Sequence, residues 1–394
     1  MKKLFILALG AALALTSCDN AESLTKKGQE AFAAGDYAKA VECFTKAIEK
    51  DPAAAAEANR MMGICYADSL AGEKSAQKAF EYFTTAAEAG DIEAQYLLAK
   101  AYDKGEGTIQ NDAKAVKYYT KAAEAGNAAA QAKVGEIYYS GILGVSVDEA
   151  KGVEYLQKAV EQGNADAMAN LGNAYHNGLG GLEKNIDKAI DYYSKSAEAG
   201  SYDGMAMLGF CYVYGDGVKE NLTKGAELIN KAALGGSRKG LRFMGYLCRD
   251  DKATGYGSSY DAKEWFRKAA ELGDITSMVC LGEEYSESWG DEAQAEAVKW
   301  FQRAAELGDA SGMMKLGYAY YKGAGVKKSL EKAFEWDLKA AEAGNSQGQF
   351  NVAWDYEKGS GTTRDREKAI EWYKKSAEQG HENAQKALKR LGVK

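Results

Sequence analysis

The chain has 394 residues, a single proline (Pro52), 25 tyrosines and a formal charge of −7, which loses a further two positive charges if Lys2 and Lys3 leave with a leader. An acidic, well-mixed surface without a basic stripe excludes nucleic acid as a ligand and docking on anionic lipid by charge alone. Abundant alanine, lysine and glutamate with almost no proline favour helix from end to end.

The first predicted element is a leader. Lys2 and Lys3 precede an apolar or small-residue run from Leu4 to Leu15, too short to span a bilayer comfortably, which reads as a secretory signal peptide over 1–17. Leu15-Thr16-Ser17-Cys18 follows. This closely resembles the lipobox of bacterial lipoproteins, and the resemblance implies that Cys18 is lipidated and becomes the first mature residue. A diacylglycerol with an N-acyl chain gives stable membrane attachment, so the expectation is an envelope protein tethered through residues 18–23. Asp19 resembles an inner-membrane retention signal of enteric bacteria, but that sorting rule differs between lineages. The choice between inner and outer membrane stays open.

Residues 24–52 read LTKKGQEAFAAGDYAKAVECFTKAIEKDP. Gly28, Ala40, Phe44, Ala47 and Pro52 stand at the offsets of a tetratricopeptide repeat, which this stretch resembles. Small Gly28 and Ala40 let two helices approach, Phe44 fills the seam, and Pro52 stops the second helix.

Beyond it, glycines at 90, 126, 163, 200, 236, 273, 308, 344 and 380 close near-copies of one phrase such as AAEAG, AAELG or SAEQG. A fixed period of this size signals a solenoid of stacked supersecondary units. The fullest copy, from Asn164 to Gly200, carries A…LG..Y..G.G……KA..YY.K.AE.G. It resembles the Sel-1-like repeat, an α/α relative of the tetratricopeptide repeat with a longer glycine-rich turn between its helices. The Leu-Gly pair recurs as Leu171-Gly172, Leu208-Gly209, Leu281-Gly282 and Leu316-Gly317. The aromatic pair recurs as Tyr118-Tyr119, Tyr192-Tyr193, Trp265-Phe266, Trp300-Phe301 and Trp372-Tyr373. The resemblance covers residues 24 to 380 and implies an all-α, right-handed α/α superhelical solenoid, with nine Sel-1-like repeats over 53–380 and a capping helix in 381–394.

Each closing glycine is followed by Asp91, Asn127, Asn164, Ser201, Ser237, Asp274, Asp309, Asn345 or His381. All but the last are strong N-cap residues, so each glycine is expected to end one helix and its successor to begin the next. Repeats six and seven lack the inner glycine pair, having TGYGSSY at 254–260 and SESWGDE at 286–292. Those irregular loops are candidate contact points.

Chemistry is sparse. His176 and His381 have no second histidine or cysteine within one helical turn, so no local zinc site is predicted. The G-x-G turns lack the strand and the Lys-Ser/Thr of a phosphate loop. No metal, cofactor or catalytic residue is assigned. Besides Cys18 there are Cys43, Cys65, Cys211, Cys248 and Cys280. The resemblance extends to relatives with a disulfide in every repeat, some of which bind or hydrolyse β-lactams. That class needs two matched cysteines per repeat, and here they do not pair in that way. The thiols read as small core residues, with a Cys248–Cys280 bridge left open.

The expected function is that of a scaffold or adaptor binding protein partners. The alternatives are a peptidoglycan or carbohydrate binder and, behind it, a β-lactam or cell-wall hydrolase. Counting the first helix of each repeat from its glycine at about 100° per residue separates an apolar core stripe from a stripe that lines the concave groove in the tetratricopeptide family. With Ala99 and Ala353 standing in for the glycine in two repeats, the first position after it is Ile64, Lys100, Glu136, Asn173, Phe210, Tyr246, Glu283, Tyr318 or Trp354. Tyr214, Tyr321 and His176 lie further along the same stripe, and Arg242 and Arg249 flank Tyr246. Aromatics interleaved with arginine are the composition of interface anchors, so the partner is expected in the groove from about Phe210 to Trp354.

Overall fold

The computed structural model describes residues 19–70, 72, 74–250, 252 and 262–393. The leader with Cys18 and the 254–260 loop lie outside the described residues. Within them there are 21 α-helices and no strand. The chain divides into two units, residues 1–185 and 186–394.

The first unit holds α1 (Ala21–Ala33), α2 (Tyr37–Lys50), α3 (Ala56–Ala67), α4 (Ala76–Glu88), α5 (Ile92–Lys104), α6 (Asp112–Glu124), α7 (Ala128–Ser140), α8 (Glu149–Glu161) and α9 (Ala165–Asn177). The second begins with α10 (Ile186–Glu198), α11 (Tyr202–Tyr214), α12 (Leu222–Leu234), α13 (Arg238–Arg249), α14 (Ala262–Glu271) and α15 (Ile275–Ser286). It ends with α16 (Asp291–Glu306), α17 (Ala310–Lys322), α18 (Leu330–Glu342), α19 (Ser346–Lys358), α20 (Arg366–Glu378) and α21 (Glu382–Arg390). Within each unit every helix packs on its sequence neighbour. That is the architecture of an all-α solenoid, in which contacts are local.

One residue links consecutive repeats. Gly344 ends α18 with φ +88°, and the Asn345 N–H reaches back to the Ala340 carbonyl at 3.0 Å, which closes the helix in a Schellman turn. The Asn345 side chain then accepts from the Gly348 N–H at 2.8 Å and caps α19. The same double duty recurs at Asp91, Asn127, Asn164, Ser201, Ser237, Asp274 and Asp309. His381, the exception by residue type, also caps its helix, its Nδ1 accepting from the Ala384 N–H at 3.3 Å.

The two helices of a repeat are locked by a large side chain seated over a glycine. A Cβ on Gly63, Gly245 or Gly282 would stand 2.4 Å from the ring of Phe83, Phe266 or Phe301 respectively. The buried member of each aromatic pair is its second, as in Tyr119, Tyr193, Phe266, Phe301 and Tyr373. A lysine staples the other edge. Lys114 gives its backbone N–H to the Asn111 cap at 2.9 Å while its ammonium lies 4.9 Å from the centre of the Tyr102 ring. Lys78 over Tyr66, Lys151 over Tyr138, Lys224 over Tyr212, Lys332 over Tyr320 and Lys368 over Tyr356 repeat the arrangement. Each such cation–π contact is worth about 0.5–1 kcal/mol at an exposed site.

Among the described residues Cys43, Cys65, Cys211, Cys248 and Cys280 form no disulfide, and all but Cys43 are buried. The bridge left open between Cys248 and Cys280 is therefore not made; the Cys280 Sγ instead lies 3.8 Å from the Tyr246 hydroxyl.

Candidate ligand-binding groove

In the nine repeats after the first, the position before the small residue (glycine, or Ala99 and Ala353) of the first helix is buried, as Met62, Leu98, Val134, Leu171, Leu208, Met244, Leu281, Leu316 and Val352. The position after it is half-buried in all but one, and the exception is Tyr318, which is 58% exposed. The groove stripe is thus the shoulder of the core. How far each aromatic projects is decided by its neighbours.

Two environments result within the second unit. In α11 and α13 Phe210 and Tyr246 pack against the core, while Tyr214 stays 36% exposed at its edge. Phe210 lies 4.7 Å from Phe243 and 4.6 Å from Tyr214, and Tyr246 meets Phe266 edge-on at 5.5 Å, all on the margin of the core. Burial and the neighbouring Cys280 sulfur push the Tyr246 phenol up. The Tyr214 hydroxyl donates to Asp250 at 3.1 Å, with Lys252 over its ring at 4.2 Å. Burial, then Asp250, raises the Tyr214 phenol to about 12. Arg242 is engaged by Asp274 at 2.8 Å, and Arg249 lies over the Tyr246 ring at 5.0 Å.

In α17 and α19 the rings stay open. Tyr318, Tyr321 and Trp354 stand around a recess of 290 Å³ that Ala333, Asp337, Phe350, Asn351 and Asp355 complete. Tyr321 and Trp354 meet edge to face, 6.4 Å apart at 84°. His176 belongs to the other unit, half-buried in the last turn of α9. Of the nine groove residues expected from the sequence, the structure brings Tyr318, Tyr321 and Trp354 together in one recess. Phe210, Tyr214, Tyr246, Arg242 and Arg249 form a second cluster, which packs against the core through Phe210 and Tyr246.

Asp337 and Asp355 escaped the sequence reading. A signal was present, because Asp337 falls seven residues before the closing Gly344, the position that holds Phe83, Tyr119, Leu156, Tyr193, Ile229, Phe266, Phe301 and Tyr373 elsewhere. Asp355 likewise stands where most repeats bury Cys65, Ala101, Ile137, Ala174, Cys211, Leu247 or Ala319. Both are 6% exposed. Burial raises Asp337 to about 7, with an Asn351 hydrogen bond opposing it, and burial together with Asp337 raises Asp355 to about 7.

The irregular turn at 286–292 carries Trp289, which is wholly exposed beside Gly290 at φ +111°. Among the described residues no three His, Cys, Asp or Glu side chains converge to hold a metal ion, and no helix is long and apolar enough to cross a membrane.

Helix hairpins joined by one-residue caps, with variable side chains along a lateral shoulder, define an α/α repeat solenoid built for binding. The Sel1 repeat family model matches residues 27–52, 56–91, 92–127, 128–164, 165–201, 203–237, 258–274, 281–309, 310–345 and 346–381. The chain belongs to the Sel1 repeat family, whose members are in general protein–protein interaction scaffolds. The model takes the first, tetratricopeptide-like stretch as a Sel1 repeat too.

A Sel1 repeat protein from Oxalobacter formigenes is similar at 25% identity and a TM-score of 0.50, over 63% of this chain and 99% of that one. A protective antigen present in uropathogenic Escherichia coli strains, displaying an SLR fold, is similar at 27% identity and a TM-score of 0.48, over 94% of this chain and 88% of that one. No curated protein matches the sequence.

Proposed function

We propose that this protein is a lipid-anchored envelope scaffold that holds a protein partner on the shoulder of its repeats, with Tyr318, Tyr321 and Trp354 as the anchoring residues. The observation that carries the reading is the open aromatic recess. Tyr318 is 58% and Tyr321 37% exposed in a repeat where a merely solvated face would carry charge. Aromatic residues around a concavity supply most of the energy at protein interfaces. The tether rests on Lys2-Lys3, the apolar run to Leu15 and the Leu15-Thr16-Ser17-Cys18 sequence.

Two measurements test it. Mass spectrometry of the mature N-terminus should find a diacylated Cys18; an unmodified Cys18 removes the anchor. For the groove, full-length protein is used to recover partners from envelope lysate and, in parallel, on purified sacculi. Tyr318→Ala and Trp354→Ala should each lower recovery from lysate at least tenfold with little change in Tm. Phe210→Ala, which removes a ring from the core margin, should instead lower Tm by several degrees and leave recovery intact. Recovery on sacculi alone would make the protein a cell-wall binder.

A further inference from the structure

At the base of the α17–α18–α19 recess Asp337 takes the position that the other repeats fill with an apolar or aromatic side chain. In the preceding repeat Phe301 fills the seam against Gly282, leaving no room for a Cβ there. Here Asp337 stands in place of that ring against Gly317 and lines the 290 Å³ recess. The substitution also places a carboxylate in the core layer, and Asp355 adds a second.

Among the described residues no lysine or arginine forms an ion pair with either carboxylate. Asp337, 6% exposed, accepts on Oδ1 from Asn351 Nδ2 at 3.2 Å, and both carboxylates line the recess. Asp355 is offered only the Ser360 hydroxyl. Two lysines lie by the tyrosine rings: the Lys322 ammonium is 5.6 Å from the centres of Tyr318 and Tyr321, and Lys328 is 5.9 Å from Tyr321. Burying an unpaired carboxylate is costly, and a repeat that needed only a core would carry an aromatic, as its neighbours do.

We propose that the recess binds an alkylammonium group, the side chain of a lysine on the protein partner, with Asp337 and Asp355 neutralising the charge and Tyr321 and Trp354 flanking the methylenes. The proposal deepens the groove reading and rests on it. Charge complementarity selects this occupant. An anion would be repelled. A divalent cation needs six or more oxygens, and the walls here are aromatic. A neutral sugar would offer hydroxyl donors but no positive charge to the two acids. An ammonium satisfies the acids with its three donors and gains cation–π attraction from the rings. The exposed Tyr318 marks the open side, through which a side chain can enter while its backbone stays in the groove.

The test uses the full chain and small probes, with binding followed by saturation-transfer NMR and by shifts of the Trp354 indole. Nα-acetyl-lysine amide should bind, and Nα-acetyl-norleucine amide, N-acetylglucosamine and calcium should not. Asp337→Asn with Asp355→Asn should weaken lysine-amide binding at least tenfold. Asp337→Phe, which restores the ring found in the two neighbouring repeats, should abolish it while raising Tm, so loss of binding cannot be blamed on unfolding. Equal binding of the norleucine probe, or lysine binding that survives Asp337→Phe, overturns the proposal. No binding of the lysine probe while Tyr318→Ala and Trp354→Ala still lose the partner overturns the ammonium site and leaves the groove standing. If those two variants keep the partner, the groove assignment has failed as well.

Discussion

Arg390 closes on Glu357 with both prongs of its guanidinium, Nη1 to Oε1 at 2.8 Å and Nη2 to Oε2 at 2.5 Å. The pair ties α21 across α20 to α19. The Tyr373 hydroxyl donates to the same carboxylate at 3.0 Å, so one acid joins three helices at the C-terminal end of the stack.

The clamp gives a pH prediction. Hydrogen bonds from Arg390, then from Lys358 and Tyr373, hold the Glu357 carboxyl at about 2, well below the usual carboxylate range. A depressed folded-state value means that its stabilisation is complete above the ordinary carboxylate range and is lost as pH falls toward about 2. Arg390→Ala should cost about 1 kcal/mol, the low end for charge-assisted bonds because Arg390 is half exposed. It should also shrink the loss of Tm between pH 5 and pH 2.5. An unchanged acid limb would remove Glu357 from the clamp.

The opposite sign is expected at Asp337 and Asp355. Burial raises both to about 7, so the folded state holds protons that the unfolded chain has released. Between about pH 4 and 7 stability therefore falls as pH rises. The groups facing the pair are Asn351 and Ser360, with Lys322 and Lys328 beyond the tyrosines and His381 stacked on the Phe350 ring at 4.8 Å. Free of ligand, the protein should melt several degrees lower at pH 8 than at pH 5.5, and Asp337→Asn with Asp355→Asn should flatten that slope while His381 is untouched. A slope that persists in the double variant would assign it to His381 or elsewhere.

Gly282→Ala should destabilise the α15–α16 hairpin. Its new Cβ would meet Phe301 Cε1 at 2.4 Å and Cδ1 at 2.7 Å, and Phe301 is buried with nowhere to turn. Overpacking of this kind costs about 1–3 kcal/mol. Adding Phe301→Leu should recover part of the loss in urea melts; strict additivity of the two substitutions would show that the ring is not what the methyl strikes.

Thiol reactivity should follow burial. Burial pushes Cys211 up to about 12 and Cys65 up to about 11, while Cys43 is half exposed on α2. The thiolate is the reacting form, so iodoacetamide at pH 8 should label Cys43 first and leave Cys65 and Cys211 until the protein opens. Peptide mapping over a time course reads this directly, and early labelling of Cys211 would contradict the packing of α11.

The sequence alone determined the period, the helix boundaries and the caps. A glycine followed by Asp, Asn or Ser is a local instruction: φ turns positive, the next side chain finds an N–H three residues on, and no distant contact is needed, as Gly344 and Asn345 demonstrate. The family was legible for the same reason. The binding stripe was visible only as a list of aromatics, because Phe210 and Trp354 occupy equivalent positions in their helices. Tertiary packing separated them. Phe210 meets Phe243 from the next repeat and becomes part of the core margin, whereas Trp354 looks across a space that Asp337 vacated when it took the place of a ring. Whether a half-buried side chain is core or contact depends on the volume of its neighbour one helix away. Periodicity within a single helix carries no record of that volume.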